Sequence, residues 1–398
     1  MPINLPINAS VGIEAIYGKC APLDGHSLSE TTPLTRPAMN NLFRAVLILL
    51  ALGLGAVIAQ MGDSPKRPAI KFEDYPEIPP RGYVCYRAAK PPSLNGKLTD
   101  VVWDSAAWSD EFVDIEGDKK PRPRQRTRMK MMWDDQYLYI GAQLFEEHVW
   151  ATLTKHDSII FQDNDFEVFL DPDGDSHLYA ELEINALNTT WDLLLPRPYK
   201  DGGKAIDAWE IPGLKTAVHV DGTLNDPRDI DRGWTVEIAW PWTSLAELTK
   251  VAPPKDGEQW RINFSRVEWQ HEIVDGKYRK IKGKAEDNWV WSPQGVIDMH
   301  RPERWGIVQF SIGKPGTVDF RPDPAADARH LLHRVLYAQR DYRKATGKWA
   351  KGLGDLKLTG AKFDSVELET TRTGFEASTL DSKSRRWHIR SDARIWAE

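Results

Sequence analysis

Two cysteines in 398 residues, Cys20 and Cys85, leave no material for a disulfide framework or a cysteine-based metal site. Basic blocks are also missing: the net charge is -6 and no run of lysine and arginine exceeds a few residues. A partner held through nucleic-acid phosphates needs a clustered positive face, so that class is set aside. No serine-nucleophile elbow, H-E-x-x-H zinc motif, phosphate loop or dinucleotide fingerprint occurs. Between the strand-like runs there are no long helical patterns, which excludes a doubly wound sheet and a barrel of alternating strands and helices.

The one long apolar run is "AVLILLALGLGAVIA", Ala45 to Ala59, preceded by Arg44 and ending in small residues. It is short for a span across ~30 Å of hydrocarbon, and its order of charge, apolar core and small residues is that of a secretory signal. The expected organisation is therefore an upstream extension at 1–38, a signal peptide at 39–59 cleaved after Ala59, and a proline-rich linker at 60–82. The mature protein then has no transmembrane span and is secreted, periplasmic or attached to the cell envelope of a bacterium.

What is abundant is tryptophan. Of 17 copies, fourteen lie between Trp103 and Trp305. Over the same region, runs of period two recur with turn residues between them. "RTRMKMMWDDQYLYIGAQLF" reads as a hairpin turning at Asp134, Asp135 and Gln136. Phe166, Val168 and Leu170 oppose Glu167 and Phe169. Leu178, Ala180, Leu182 and Ile184 oppose Tyr179, Glu181, Glu183 and Asn185. Trp234, Val236, Ile238 and Trp240 oppose Thr235, Glu237 and Ala239, and Trp260, Ile262 and Phe264 oppose Arg261, Asn263 and Ser265. One apolar and one polar face per strand is the signature of antiparallel sheets with a solvated side. The expected fold is mainly β: an immunoglobulin-like antiparallel β-sandwich over 83–315. A small C-terminal α+β appendage follows at 323–398. It opens with a helix after Asp323-Pro324, stops at Gly347, and continues in alternating runs near Val366–Leu368, Phe375–Thr379 and Trp387–Ile389.

Laid in order, "PSLNGKLTDVVWDSAAW", "MMWDDQYLYIGAQL", "DNDFEVFLDPDGD", "GWTVEIAWPW", "WRINFSRVEW" and "HRPERWGIVQF" resemble the family 9 carbohydrate-binding modules, over roughly Ala89 to Ser311. The resemblance implies a β-sandwich that binds sugars, typically at chain ends, and that accompanies polysaccharide-degrading enzymes. It also implies site positions. One stacking ring falls on Phe161 and the strand carboxylate on Glu167. The opposite ring falls on Met299 or His300, and a family arginine is replaced by Glu183. With that clamp altered, either Trp289, Trp291 or Trp191 substitutes, or the chain has a different ligand, or none.

Sugar rings offer apolar faces to indoles and a rim of hydroxyls to carboxylates, amides and guanidinium groups. The candidate ligand-binding residues are accordingly Phe161, Glu167, Asn185, Trp191, Arg266, Trp289, Trp291 and His300. No catalytic residue and no metal ligand is assigned. Asp171, Asp173 and Asp175 in "DPDGDSH" suit either a calcium-holding loop or a tight Asp-Gly turn. The expected function is non-catalytic binding of an oligosaccharide or polysaccharide in support of polysaccharide catabolism. Glycoside hydrolysis and a non-sugar cell-surface scaffold are the alternatives.

Overall fold

The computed structural model describes residues 78–398. The extension, the signal segment and all but the end of the linker lie outside the described residues. The strands up to Ser311 are β1 (Gly82–Arg87), β2 (Val113–Asp114), β3 (Thr127–Trp133), β4 (Tyr137–Leu144), β5 (Asp165–Asp171), β6 (Tyr179–Asn185), β7 (Thr190–Leu195), β8 (Lys215–Asp221), β9 (Gly233–Pro241), β10 (Gln259–Glu268), β11 (His271–Val274), β12 (Lys277–Lys280), β13 (Asp287–Val290) and β14 (Gly306–Ser311); β11 and β12 pair only with each other, and the rest build the sandwich. The hairpin read from the sequence is present. The Asp134 carboxylate accepts from the amides of Gln136 and Tyr137 at 2.7 and 2.9 Å, which fixes the turn between β3 and β4.

One half of the sandwich runs β7-β6-β5-β10 and the other β3-β4-β9-β8. Period-two alternation aims the apolar set of each strand at the other half, so Phe166, Val168, Leu170, Leu182, Ile184, Trp260 and Phe264 share a core with Met131, Leu138, Ile140, Val236, Ile238 and Trp240. The halves are not separate sheets. β14 and β1 bridge them, and β1 pairs parallel with both β14 and β3, giving one ladder ordered β7-β6-β5-β10-β14-β1-β3-β4-β9-β8. β13 pairs with β10 and with β2. The antiparallel expectation holds elsewhere along this ladder and fails at β1, whose partners lie far away in sequence.

The appendage contains α1 (Ala326–Thr346) and the antiparallel sheet β15 (Glu367–Thr370), β16 (Phe375–Leu380), β17 (Arg386–Arg390) and β18 (Ile395–Ala397). Gly347 ends α1 with φ of 74°, a left-handed conformation that costs glycine little. Leu332, Val335 and Leu336 of α1 pack on Phe375, Ala377, Ile389 and Ile395 in a core of their own. α1 also fastens two loops of the sandwich. Arg340 pairs with Asp201 at 2.5 Å, and the Tyr337 hydroxyl donates to Glu303 while accepting from Arg301. Among the described residues no helix is long and apolar enough to cross a membrane.

Candidate functional site

The outward side of β7-β6-β5-β10 carries the residues opposite in parity to the core set. Strand register places Trp191 beside Glu183, Glu183 beside Glu167, and Glu167 beside Ser265. A second row runs Leu193, Glu181, Phe169, Asn263. This side is not the solvated face that alternation suggested. Glu183 and Glu181 are 2% and 3% exposed, and Glu167 and Asp165 are buried as well. Met299, Trp305 and Ala205 close over Phe169, Tyr179, Leu193 and Leu195, sealing one end of the face.

At the other end, rings remain partly open. Phe161 and Trp191 are half-buried and stack with centroids 6.5 Å apart and planes 28° from parallel. The Phe161 amide donates to Glu183 at 2.8 Å, which ties the ring to the acidic row. Trp269 is also half-buried. Its indole N–H donates to the Phe161 carbonyl at 2.8 Å, and the Lys280 ammonium lies 3.6 Å from its ring centre. Tyr199, 44% exposed, stands edge-on to His300 at 4.5 Å, and the charges of Glu181 and Glu183 reach it. His300 meets the Tyr179 hydroxyl through Nδ1 at 2.9 Å. Phe161 and Trp191 thus adjoin the Glu183–Glu167 row with Trp269 beside Phe161, and Tyr199 with His300 adjoins Phe169 and Tyr179 of the same face.

Burial drives the electrostatics here. Loss of solvent raises the carboxyl groups of Asp165, Glu167, Glu181 and Glu183 above the ordinary range; the charge of Glu167 adds to it for the other three, and that of Glu286 for Glu167. Glu181 and Glu183 are close enough for each to act on the other's proton affinity. Burial also lowers the His300 imidazole to about 4, so it is neutral near pH 7.

Of the eight residues singled out from the sequence, Phe161, Glu167, Trp191 and His300 lie on or against this face. The other four are engaged otherwise, each for a physical reason. Trp289 and Trp291 share a side, as residues two apart in a strand must, but that side is the interior: they are 3% and 1% exposed. Trp291 lies so close to Gly306 that a Cβ there would sit 2.2 Å from its ring, and Arg124 and Arg266 cover Trp289. Arg266 shares the inward parity of Phe264 and is fully buried against Glu268, Glu146, Thr127 and the Phe145 carbonyl. Asn185 spends its side chain on the β6–β7 turn, accepting from Leu187 and Thr189 and donating to Leu153 and Asp163. Sequence reasoning missed Trp269, Lys280 and Tyr199. The outward parity of Trp269, two beyond Val267 on the same run, was the available signal.

Asp171, Asp173 and Asp175 can bring one oxygen each within 4.8 Å of the others. Asp171 already accepts the amides of Gly174 and Ser176 at 3.0 Å, and Asp175 pairs with Arg394 at 2.9 Å, so this loop also closes as a turn docked on the appendage.

Comparison with known proteins places these features among relatives. The chain is 27% identical over 154 residues to endo-1,4-beta-xylanase A of Thermoanaerobacterium saccharolyticum; the match takes in 39% of this chain and 11% of that enzyme's length. Two solved structures of a carbohydrate binding module family 9 from Caldicellulosiruptor kristjanssonii are similar. The one in complex with cellotriose is 16% identical with a TM-score of 0.39, covering 61% of this chain and 100% of that one. The one in complex with glucose is 15% identical with a TM-score of 0.38, covering 59% and 99%. The sequence profile described as carbohydrate family 9 binding domain-like matches residues 94–308. That match takes in more than half of the chain, and the chain belongs to this family.

Proposed function

We propose that the outward side of β7-β6-β5-β10 binds a saccharide and that the chain does so without cleaving it. The observation that carries this reading is the transverse row Trp191–Glu183–Glu167, with Phe161 stacked on Trp191 at its open end. Half-open rings suit the C–H face of a sugar, and carboxyl groups beside them suit its hydroxyls. Tyr199, exposed opposite, adds a ring that is also a hydroxyl donor. Family membership and the xylanase relative support plant-type polysaccharides as the ligand class. In this reading the protein is exported through the 39–59 segment and works beside polysaccharide-degrading enzymes.

Isothermal titration with glucose, cellotriose and xylotriose tests it. The expected result is saturable binding to at least one of them, weakened at least tenfold, or about 1.4 kcal/mol, by Trp191→Ala. Unchanged affinity in both Trp191→Ala and Phe161→Ala overturns the site; no binding to any soluble or insoluble glucan or xylan overturns the function. Hydrolysis is the second reading, favoured by the buried carboxyl groups whose proton affinity is raised. It requires reducing ends released from xylan that disappear in Glu167→Gln.

A further inference from the structure

We propose that Asp165, Glu167 and Glu183 form a binding site for a hard divalent cation of the calcium class. Asp165 and Glu167 share the outward parity of β5, and Glu183 faces Glu167 across the β5–β6 ladder. One oxygen from each lies within 4.8 Å of the other two. An ion that takes carboxylate oxygens at about 2.3–2.6 Å spans such a triangle.

An acidic cluster alone would not carry this. What does is the unmet polarity around it. Among the described residues, Oδ2 of the fully buried Asp165 has no hydrogen-bond donor, although Oδ1 accepts the Val267 amide at 3.1 Å. Oε2 of Glu181, on the same face, likewise has none among them. Buried carboxylates are ordinarily paired, hydrogen-bonded or bound to metal. Here the strongest charges acting on Asp165, Glu181 and Glu183 are negative ones, from Glu167 and from each other. Lys280 lies within reach of the charges of Asp163 and Asp165, but its direct contacts are the Trp269 ring and the Gln162 side chain at 3.1 Å. A dication would satisfy the orphan oxygen of Asp165 and offset the crowded charge.

Two other groupings bring acids together and serve as controls. In the Asp171–Asp173–Asp175 loop, amides and Arg394 take up carboxylate oxygens. In the His156–Asp192–Glu210 group, His156 and Glu210 are exposed.

The test uses the full chain stripped with EDTA and dialysed, with no sugar present, so its outcome is independent of saccharide binding. Calcium chloride is titrated calorimetrically and thermal unfolding is followed with and without it. The expected result is binding that is weakened at least tenfold in both Glu183→Gln and Asp165→Asn and unchanged in Asp173→Asn, with near-ultraviolet circular dichroism confirming the fold of each. Terbium emission excited through tryptophan, and displaced by calcium, gives a reading on unmodified protein that no misfolded variant can obscure. Absence of heat, of a shift in unfolding temperature and of terbium emission overturns the proposal. So does a calcium response that survives Glu183→Gln and Asp165→Asn but is lost in Asp173→Asn.

Discussion

Glu237 and Glu181 sit on the outward sides of the two halves of the sandwich, both almost completely buried, and the protein treats them in opposite ways. Glu237 on β9 accepts from the amides of Asn95 and Gly96 at 2.7 and 2.5 Å and from the Trp103 indole at 2.7 Å. A single carboxylate is thereby satisfied by three donors, all supplied by the chain that crosses that face. Glu181 on β6 lies near Glu167 and Glu183, with one oxygen facing no donor among the described residues. A saturated buried acid is a structural anchor; a group of them with oxygens left over has capacity for a further partner.

The contrast extends to the rings. Indoles on the inward side fill volume, whereas those beside the acids are half-open. Trp291→Ala should cost about 3–5 kcal/mol in urea denaturation, because its ring is packed against Gly306, Tyr83 and Phe264. Trp191→Ala should cost far less while removing saccharide affinity. Equal stability losses from the two would erase the distinction between packing rings and ligand rings.

His300, on the acidic side, gives the contrast a pH dependence. Its folded pKa of about 4 lies below the ordinary value of 6.5 because burial disfavours the cation. Between those values the unfolded chain binds the proton and the folded chain does not, so stability falls as pH drops through this window, by up to about 3 kcal/mol at pH 4. His300→Asn should remove that part of the slope in denaturant titrations at pH 4 and 7. Parallel slopes for the two proteins would mean that the imidazole is solvated.

Much of this was legible in the sequence, and the limits have a common cause. Period two assigned the inward and outward sets of β5, β6, β9 and β10 correctly, and the Asp323-Pro324 and Gly347 signals bracketed α1, which spans Ala326–Thr346. Parity put Trp289 and Trp291 on one side together but could not say which side was interior. That depends on β13 pairing with β10 and β2, a contact made across long separations. The same holds for the parallel place of β1, and for the burial of Glu181 and Glu183. A polar face reads as solvated until Met299, Trp305 and Ala205, distant in the chain, are folded over its neighbours. Arg266 was the avoidable error, since its inward parity with Phe264 was already visible.

Isosteric neutralisation gives the finest test, because glutamine changes charge and donor count but hardly the volume. At Glu237 both oxygens face donors, so an amide NH2 must confront at least one of them. Glu237→Gln should cost about 2–3 kcal/mol, the penalty for a buried hydrogen bond turned into a clash of donors. At Glu181 the neighbour is another carboxyl group, and the new amide can donate to Glu183 where two acids otherwise crowd each other. Glu181→Gln in metal-free protein should therefore be neutral or stabilising by up to about 1 kcal/mol. The signs, read from paired urea curves, carry the argument. A loss at Glu181 as large as that at Glu237 would mean that its carboxylate is already satisfied, and the acidic face would then be an anchor like the other.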